Sequence, residues 1–418
     1  MLRILYNIGI YLFILAVKVA SLFHHKARLF VAGRRGWAAS LEAFGQAGTP
    51  TAWFHCASLG EFEQGRPVIE AYRAKYPQHK ILLTFFSPSG YEVRKNYDGV
   101  DSVCYLPHDT PRTARRFIRL VKPVVAVFIK YEFWYNFLLR LEKEQVPTYL
   151  VSAIFRPKQV FFRWYGVLFR RMLRVFRVLF VQDGNSVALL KNIGVANVVR
   201  AGDTRFDRVW MHTHCAADLP QIAAFTAGRP TLVAGSTWTP DDEKLAEAWA
   251  MLTDERRRLV IAPHEVTADR LSFIESQFAA FRTVRYTQLS ADDDLQTVQV
   301  LIIDTVGILL PAYRYGQVAF VGGGFSATGI HNILEPAAYG LPVVFGHNYE
   351  KYAEAHELIV AGGARSVNNA SALYESLHEW LSDVTAQQSA GAKSAAYVQS
   401  RTGATTAIIQ QMTTGIFA

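Results

Sequence analysis

Apolar runs of strand length recur along this chain, each bounded by turn residues and most followed by a stretch of helical periodicity. The first series is TAWFHCA (51–57), KILLTFF (80–86), VVAVFIK (124–130), TYLVSAI (148–154) and VLFVQ (178–182), with helical patterns at 66–76, 111–120 and 134–145. The second is TLVAGS (231–236), RLVIAP (258–263), VQVLIID (298–304), QVAFVGG (317–323) and LPVVFG (341–346), with helices expected at 241–252, 268–281, 331–339 and 351–361. Such alternation argues for parallel sheets with helices on both faces. The expected fold class is therefore α/β: two doubly wound Rossmann-like halves, joined near residues 205–228. In open α/β sheets ligands bind beyond the carboxyl ends of the strands, so two halves predict a ligand cleft between them. Neither half shows GxGxxG after its first strand, so the dinucleotide fingerprint is absent. SAGAKSAA (389–396) reads as a flexible lead into a last helix.

A length of 418 residues also exceeds what one core usually serves. The net charge of +9 points to an anionic partner: nucleic acid, an acidic membrane surface or a phosphorylated substrate. Cys56, Cys104 and Cys215 stand far apart, which gives neither a disulfide framework nor zinc-ligand spacing and fits a reducing compartment. The segment 4–23 is apolar except for Asn7 and Lys18. About 20 apolar residues can span a bilayer. No cleavage site of small residues precedes HHKARLF, so an anchor is expected over 1–30. Lys26, Arg28, Arg34 and Arg35 follow, which places the remaining chain on the cytoplasmic face. The stretch 155–177 carries seven basic residues and no acid, interleaved with Phe, Trp and Tyr. At helical spacing it reads as a membrane-surface face, in preference to a nucleic-acid surface or a solvated helix over a core.

The candidate chemistry sits at strand ends. In ASLGEFEQGRP, Glu61 stands between an apolar strand and a helix start expected near 64–67. An ionised carboxylate there either caps the helix or accepts a proton from a hydroxyl nucleophile. Glu132, in KYEFWYN, ends another strand and either faces the same cleft or caps the helix at 134–145. Arg205, in GDTRFD, either neutralises a phosphate or pairs with Asp203 or Asp207. APHE ends a strand at Pro263 and His264, and LIIDTVGIL ends one at Asp304. Exposed N–H groups where Thr305, Val306 and Gly307 open a helix would suit a phosphate. In FVGGGFSATGIHNILEPAAYG, three glycines let backbone approach a ligand, and Glu335 lies one turn into a helix opened by His331 and Asn332. The DDD at 292–294 reads as a solvated loop rather than a metal site.

Taken in order, ASLGEFEQGRP, TFFSPSGYE (84–92), YLPHDTP (105–111), EFWYN, GDTRFD, APHE, DTVGIL and GGGF…GIHNILEPA resemble the 3-deoxy-D-manno-octulosonic acid (Kdo) transferases of lipopolysaccharide synthesis, glycosyltransferase family 30. The resemblance implies a GT-B fold: an anchor at 1–30, an acceptor-binding domain at 31–210, a CMP-sugar donor domain at 211–395, and a helix at 396–418 returning to the N-terminal domain. It implies inverting transfer of Kdo from CMP-Kdo to the 6′-hydroxyl of a lipid A precursor, lipid IVA, at the inner membrane, with no metal and no nucleic acid. Glu61 matches the family's general base and Glu132 its transition-state carboxylate. Arg205 stands where the family has Lys. Pro263 and His264 match an Arg-His pair, so the arginine is missing. Val306, Gly307 and Ile308 match the D-T-x-G helix start, and Asn332, Ile333, Leu334 and Glu335 match H-N-x-L-E. The alternatives are another GT-B enzyme using a UDP-sugar donor, or an inactive lipid A-binding protein.

Overall fold

The computed structural model describes residues 2–45, 48–289 and 295–416, which leaves the DDD at 292–294 outside the described residues. The chain divides into two compact units, Met1–Arg208 with Thr402–Ala418, and Val209–Arg401. Unit 1 holds strands β1 (Thr51–Cys56), β2 (Lys80–Phe85), β3 (Ser102–Tyr105), β4 (Pro123–Ile129), β5 (Thr148–Ala153), β6 (Val178–Val181) and β7 (Val198–Arg200). They form one parallel sheet in the order β3-β2-β1-β4-β5-β6-β7. Unit 2 holds β8 (Thr231–Thr237), β9 (Arg258–Pro263), β10 (Thr283–Arg285), β11 (Val300–Ile302), β12 (Val318–Val321), β13 (Val343–Gly346) and β14 (Ala364–Val367). Its parallel order is β10-β11-β9-β8-β12-β13-β14.

Burial on both faces explains the continuous apolar runs. Along β1, Trp53 joins one core with Phe117, Phe128 and Leu150, while Phe54 and Cys56 join the other with Tyr72, Val127 and Tyr149. The second core also receives Ile408, Ile409 and Met412 of the Ala404–Ile416 helix. Asp207 fixes that helix, accepting from the N–H groups of Gly403 (2.5 Å) and Thr405 (2.6 Å) and from the Thr405 hydroxyl (2.7 Å).

Three expectations change. Residues 389–396 are no flexible lead; they lie inside the Val384–Gln399 helix. A Cβ on Gly391 would sit 2.1 Å from the Gly340 carbonyl oxygen, so the small residues there serve close packing. The stretch 155–177 is not one amphipathic helix but a turn, a short 3₁₀ turn at Val160–Phe162 and a helix at Val167–Leu173. Phe155, Phe161, Phe162, Phe169 and Phe176 turn into the first core, leaving Trp164 and Tyr165 exposed. Third, Arg34 is not a free flank charge. Its buried guanidinium donates to the carbonyls of Phe30 (3.0 Å), Phe86 (2.6 Å) and Leu106 (2.8 Å), and burial pushes its pKa down to about 9.

The apolar helix at the start of the chain spans Leu2–Ala20, with mean hydropathy 1.7 and no buried residue. One side is half-buried against unit 1. There the Tyr6 hydroxyl donates to Asp109 (2.6 Å), and the Asn136 amide donates to the Asn7 side-chain oxygen (2.9 Å). Leu5, Ile8, Leu12 and Leu15 on the other side are exposed.

Candidate active site

In unit 1 the first strand, β1, and the fourth, β4, lie side by side, so the connections leave in opposite directions there and a crevice opens at their carboxyl ends. Both candidate carboxylates lie at those ends. The helix after β1 begins earlier than expected, at Leu59 rather than near 64–67, and carries Pro67 inside it. Ser58 is its N-cap residue, yet the serine hydroxyl caps no backbone N–H. It donates instead to Oε2 of Glu61 in the first turn. Glu61 is thus a half-buried carboxylate held by a hydroxyl. Beneath it, Ser87 N–H donates to the Ala57 carbonyl (2.7 Å), and Gly90 leaves the space that a Cβ would take 3.0 Å from the Ser58 backbone. The TFFSPSGYE run therefore supports the Ser58–Glu61 turn.

Glu132 is buried, and its Oε2 meets two donors: His55 Nε2 at 2.8 Å and Trp134 Nε1 at 2.7 Å. His55 Nδ1 lies 2.8 Å from the Thr84 hydroxyl oxygen, which accepts from Trp53 Nε1 at 2.8 Å. Nδ1 also lies 3.1 Å from the Thr84 carbonyl oxygen, and the Thr84 hydroxyl donates to the Phe54 carbonyl (3.3 Å), so Thr84 holds one side of the ring while Nε2–H is turned to Glu132. The sequence reading missed His55, because one histidine inside TAWFHCA reads as core. Burial pushes the Cys56 thiol up, and the charges of Glu61 and Glu132 add to the effect, so both carboxylates act on one point. Burial likewise raises Tyr131, with Arg156 opposing and Asp183 and Glu61 reinforcing.

Arg205 opens the Thr204–Cys215 helix and pairs with Asp203, at 2.8 Å from Oδ2. Next to it, the Thr204 hydroxyl donates to the Gln64 carbonyl (2.5 Å), which ties this turn to the helix bearing Glu61.

In unit 2 the switch point lies between β8 and β12. Trp238, after β8, stacks on His264 (4.7 Å between centroids), and His264 stacks on His331 (4.3 Å). Trp238 Nε1 donates to His331 Nε2 at 2.9 Å, and burial, then His264, pulls the His331 pKa down to about 4. His331 is therefore a neutral acceptor. Pro263 is buried at the end of β9, and His264 is exposed beyond it. The glycines of 322–324 meet protein backbone. Cβ atoms there would lie 2.4 Å from Ser236 O, 2.3 Å from Gly329 O and 2.4 Å from Gly346 N. Buried Asp241 then accepts from Gly323 N–H (2.7 Å). The loop's tightness builds the protein rather than cradling a ligand.

The helix expected to open at 305–307 begins at Leu309 and has four residues, too short for a sizeable dipole. Gly307 takes φ +87°, Val306 is exposed and Ile308 is half-buried. Asp304 is engaged, accepting from Thr287 N–H at 3.0 Å. At the other loop the helix starts at Leu334. Asn332 accepts from Leu334 N–H (3.2 Å) and donates to Glu335 (3.0 Å). Ile333 and Leu334 are buried, so only their backbone can meet a ligand. Buried Tyr313, near Gly235 of β8, also feels the Glu335 charge.

Residues 31–208 match the family model described as 3-deoxy-D-manno-octulosonic-acid transferase (kdotransferase). The chain is similar to the Kdo transferase family, through this match to its N-terminal part and through curated relatives along most of its length. The 3-deoxy-D-manno-octulosonic acid transferase of Aquifex aeolicus (strain VF5) is 28% identical over 335 residues, 79% of this chain and 86% of the relative. That of Bordetella pertussis is 26% identical over 367 residues, 84% of each. Among solved structures, UDP-GlcNAc 2-epimerase from Neisseria meningitidis superposes with TM-score 0.61 at 13% identity, covering 87% of this chain and all of that one. That likeness concerns fold alone, and with the two parallel sheets it gives this chain the GT-B class.

Proposed function

We propose that this protein transfers Kdo from CMP-Kdo to the 6′-hydroxyl of lipid IVA, with inversion at the anomeric carbon. The observation that carries the reading is the pair of differently held carboxylates at the β1/β4 switch point. Glu61 takes the hydroxyl proton as the acceptor oxygen bonds to the anomeric carbon, while the bond from that carbon to the CMP phosphate oxygen breaks and CMP leaves. Glu132, fixed by His55 and Trp134, presents a preorganised negative charge where the sugar becomes positive. Arg205, whose side chain is a third exposed, shares its charge between Asp203 and the leaving phosphate.

Unit 2 takes the donor. The Trp238–His264–His331 stack gives a flat aromatic rim beside Pro263, and Glu335 with Asn332 offers polar groups to a ribose. Backbone N–H groups of Val306, Gly307 and Ile308 receive the phosphate. No step calls for a metal. The docked apolar helix holds the enzyme on the cytoplasmic face of the inner membrane, with its exposed side in lipid.

The test is Kdo transfer from CMP-Kdo, generated in situ, to tetra-acylated lipid IVA, followed by product mass. Glu61→Gln is expected to lower the rate by about 10²–10⁴-fold and leave CMP binding intact. Chelator, added after CMP-Kdo is formed, leaves the wild-type rate unchanged. Transfer from a UDP-sugar with none from CMP-Kdo, in folded protein, would overturn the reading.

A further inference from the structure

Unit 1 carries a cleft of about 520 Å³ at the foot of the apolar helix, and Arg171 of the 155–177 stretch that the sequence marked as membrane-facing forms part of its wall. It is lined by Arg3, Arg112, Arg115, Arg140, Lys143 and Arg171, with Glu142 as its only acidic residue. Glu142 is taken by Arg171, and Arg140 pairs with Glu144. Among the described residues, Arg3, Arg112, Arg115 and Lys143 have no ion-pair partner. Four cations in one concave site, uncompensated, create a potential that a single anionic group would relieve. Arg3 stands in the first turn of the apolar helix, followed by exposed Ile4, Leu5 and Ile8, and Leu139 adds an apolar wall. Tyr6 and Asn7 are bonded to Asp109 and Asn136, so the helix and the cleft keep a fixed relation.

We infer that this cleft is a headgroup site for an anionic membrane phospholipid, whose phosphate lies among Arg3, Arg112, Arg115 and Lys143 and whose acyl chains run along the exposed side of the helix. The apolar side commits the occupant to a lipid. Its place beside the helix that meets the bilayer favours a bulk phospholipid over the phosphorylated acceptor. The inference rests on the membrane reading above and makes the docked helix only half of the attachment.

The experiment is co-sedimentation of full-length protein with vesicles of phosphatidylcholine alone, or with one part in three phosphatidylglycerol. The double variant Arg112→Gln/Arg115→Gln is compared with Lys75→Gln/Lys191→Gln, which removes the same charge from exposed sites elsewhere. Affinity for anionic vesicles is expected to fall about 30-fold in the cleft variant. Its binding to neutral vesicles and the control's binding to both should hold. Equal loss in the two variants, or none in either, overturns the site. So does a raised KM for lipid IVA in phospholipid-free detergent, which would give the cleft to the acceptor. Wild type that fails on neutral and anionic vesicles alike defeats the membrane reading itself. Wild type that binds neutral vesicles and gains nothing from anionic lipid defeats only the cleft.

Discussion

His55 and Glu132 form a buried polar pair at the carboxyl ends of neighbouring strands. The ring is fully buried, and its partner carboxylate is nearly so. Removing one member of such a pair leaves the other polar group stranded. Replacing His55 with Asn frees Glu132 to shift, and a displacement of about 1 Å at a reacting centre costs about 10²-fold. His55→Asn is therefore expected to lower kcat for Kdo transfer by that order with little change in KM for CMP-Kdo. Steady-state kinetics on folded variant protein checks this, and a KM effect with unchanged kcat would make His55 merely structural. The placement of Glu61 and Glu132 at strand ends was legible because a carboxylate ending an apolar run is conspicuous. His55 was not, because its meaning depends on Thr84 standing opposite it in β2 and on Glu132 leaving β4, pairings that no local pattern displays.

Among the elements, the ten strands visible as apolar runs are all interior to the two sheets, and the four that were not visible, β3, β7, β10 and β14, are all edges. An interior strand in a parallel sheet is covered on both faces and reads as a continuous apolar run. An edge strand is short and half-exposed, as SVCY, VVR, TVR and ARSV are here, and its signal fades. Glycines misled for a related reason: composition alone does not say whether backbone or ligand fills the space beside them. Gly391 is the test. Gly391→Ala pushes a methyl into the Gly340 carbonyl and is expected to cost about 1–3 kcal/mol by denaturant unfolding, whereas Ala392→Ser, on the exposed side of the same turn, is neutral. A neutral Gly391→Ala would restore the flexible reading of 389–396.

For the whole molecule, what matters is that unit 1 is built from two separate stretches of chain and unit 2 from one. Stopping the chain at Arg401 would remove Ile408 and Met412 from the core of unit 1 and strip Asp207 of its three donors. Loss of two buried side chains of this size costs about 4–10 kcal/mol. The truncated protein is expected to keep a folded unit 2 and lose cooperative unfolding of unit 1, as a single remaining calorimetric transition would show. The same feature acts during synthesis. A ribosome adds about 5–20 residues each second, so roughly 10–40 s separate Arg208 from the helix that closes its sheet. Through that interval the greasy first helix has emerged and unit 1 is still open on one face. Unit 2, though translated later, has its whole sequence available first. The order of completion along this chain is thus the reverse of the order of birth.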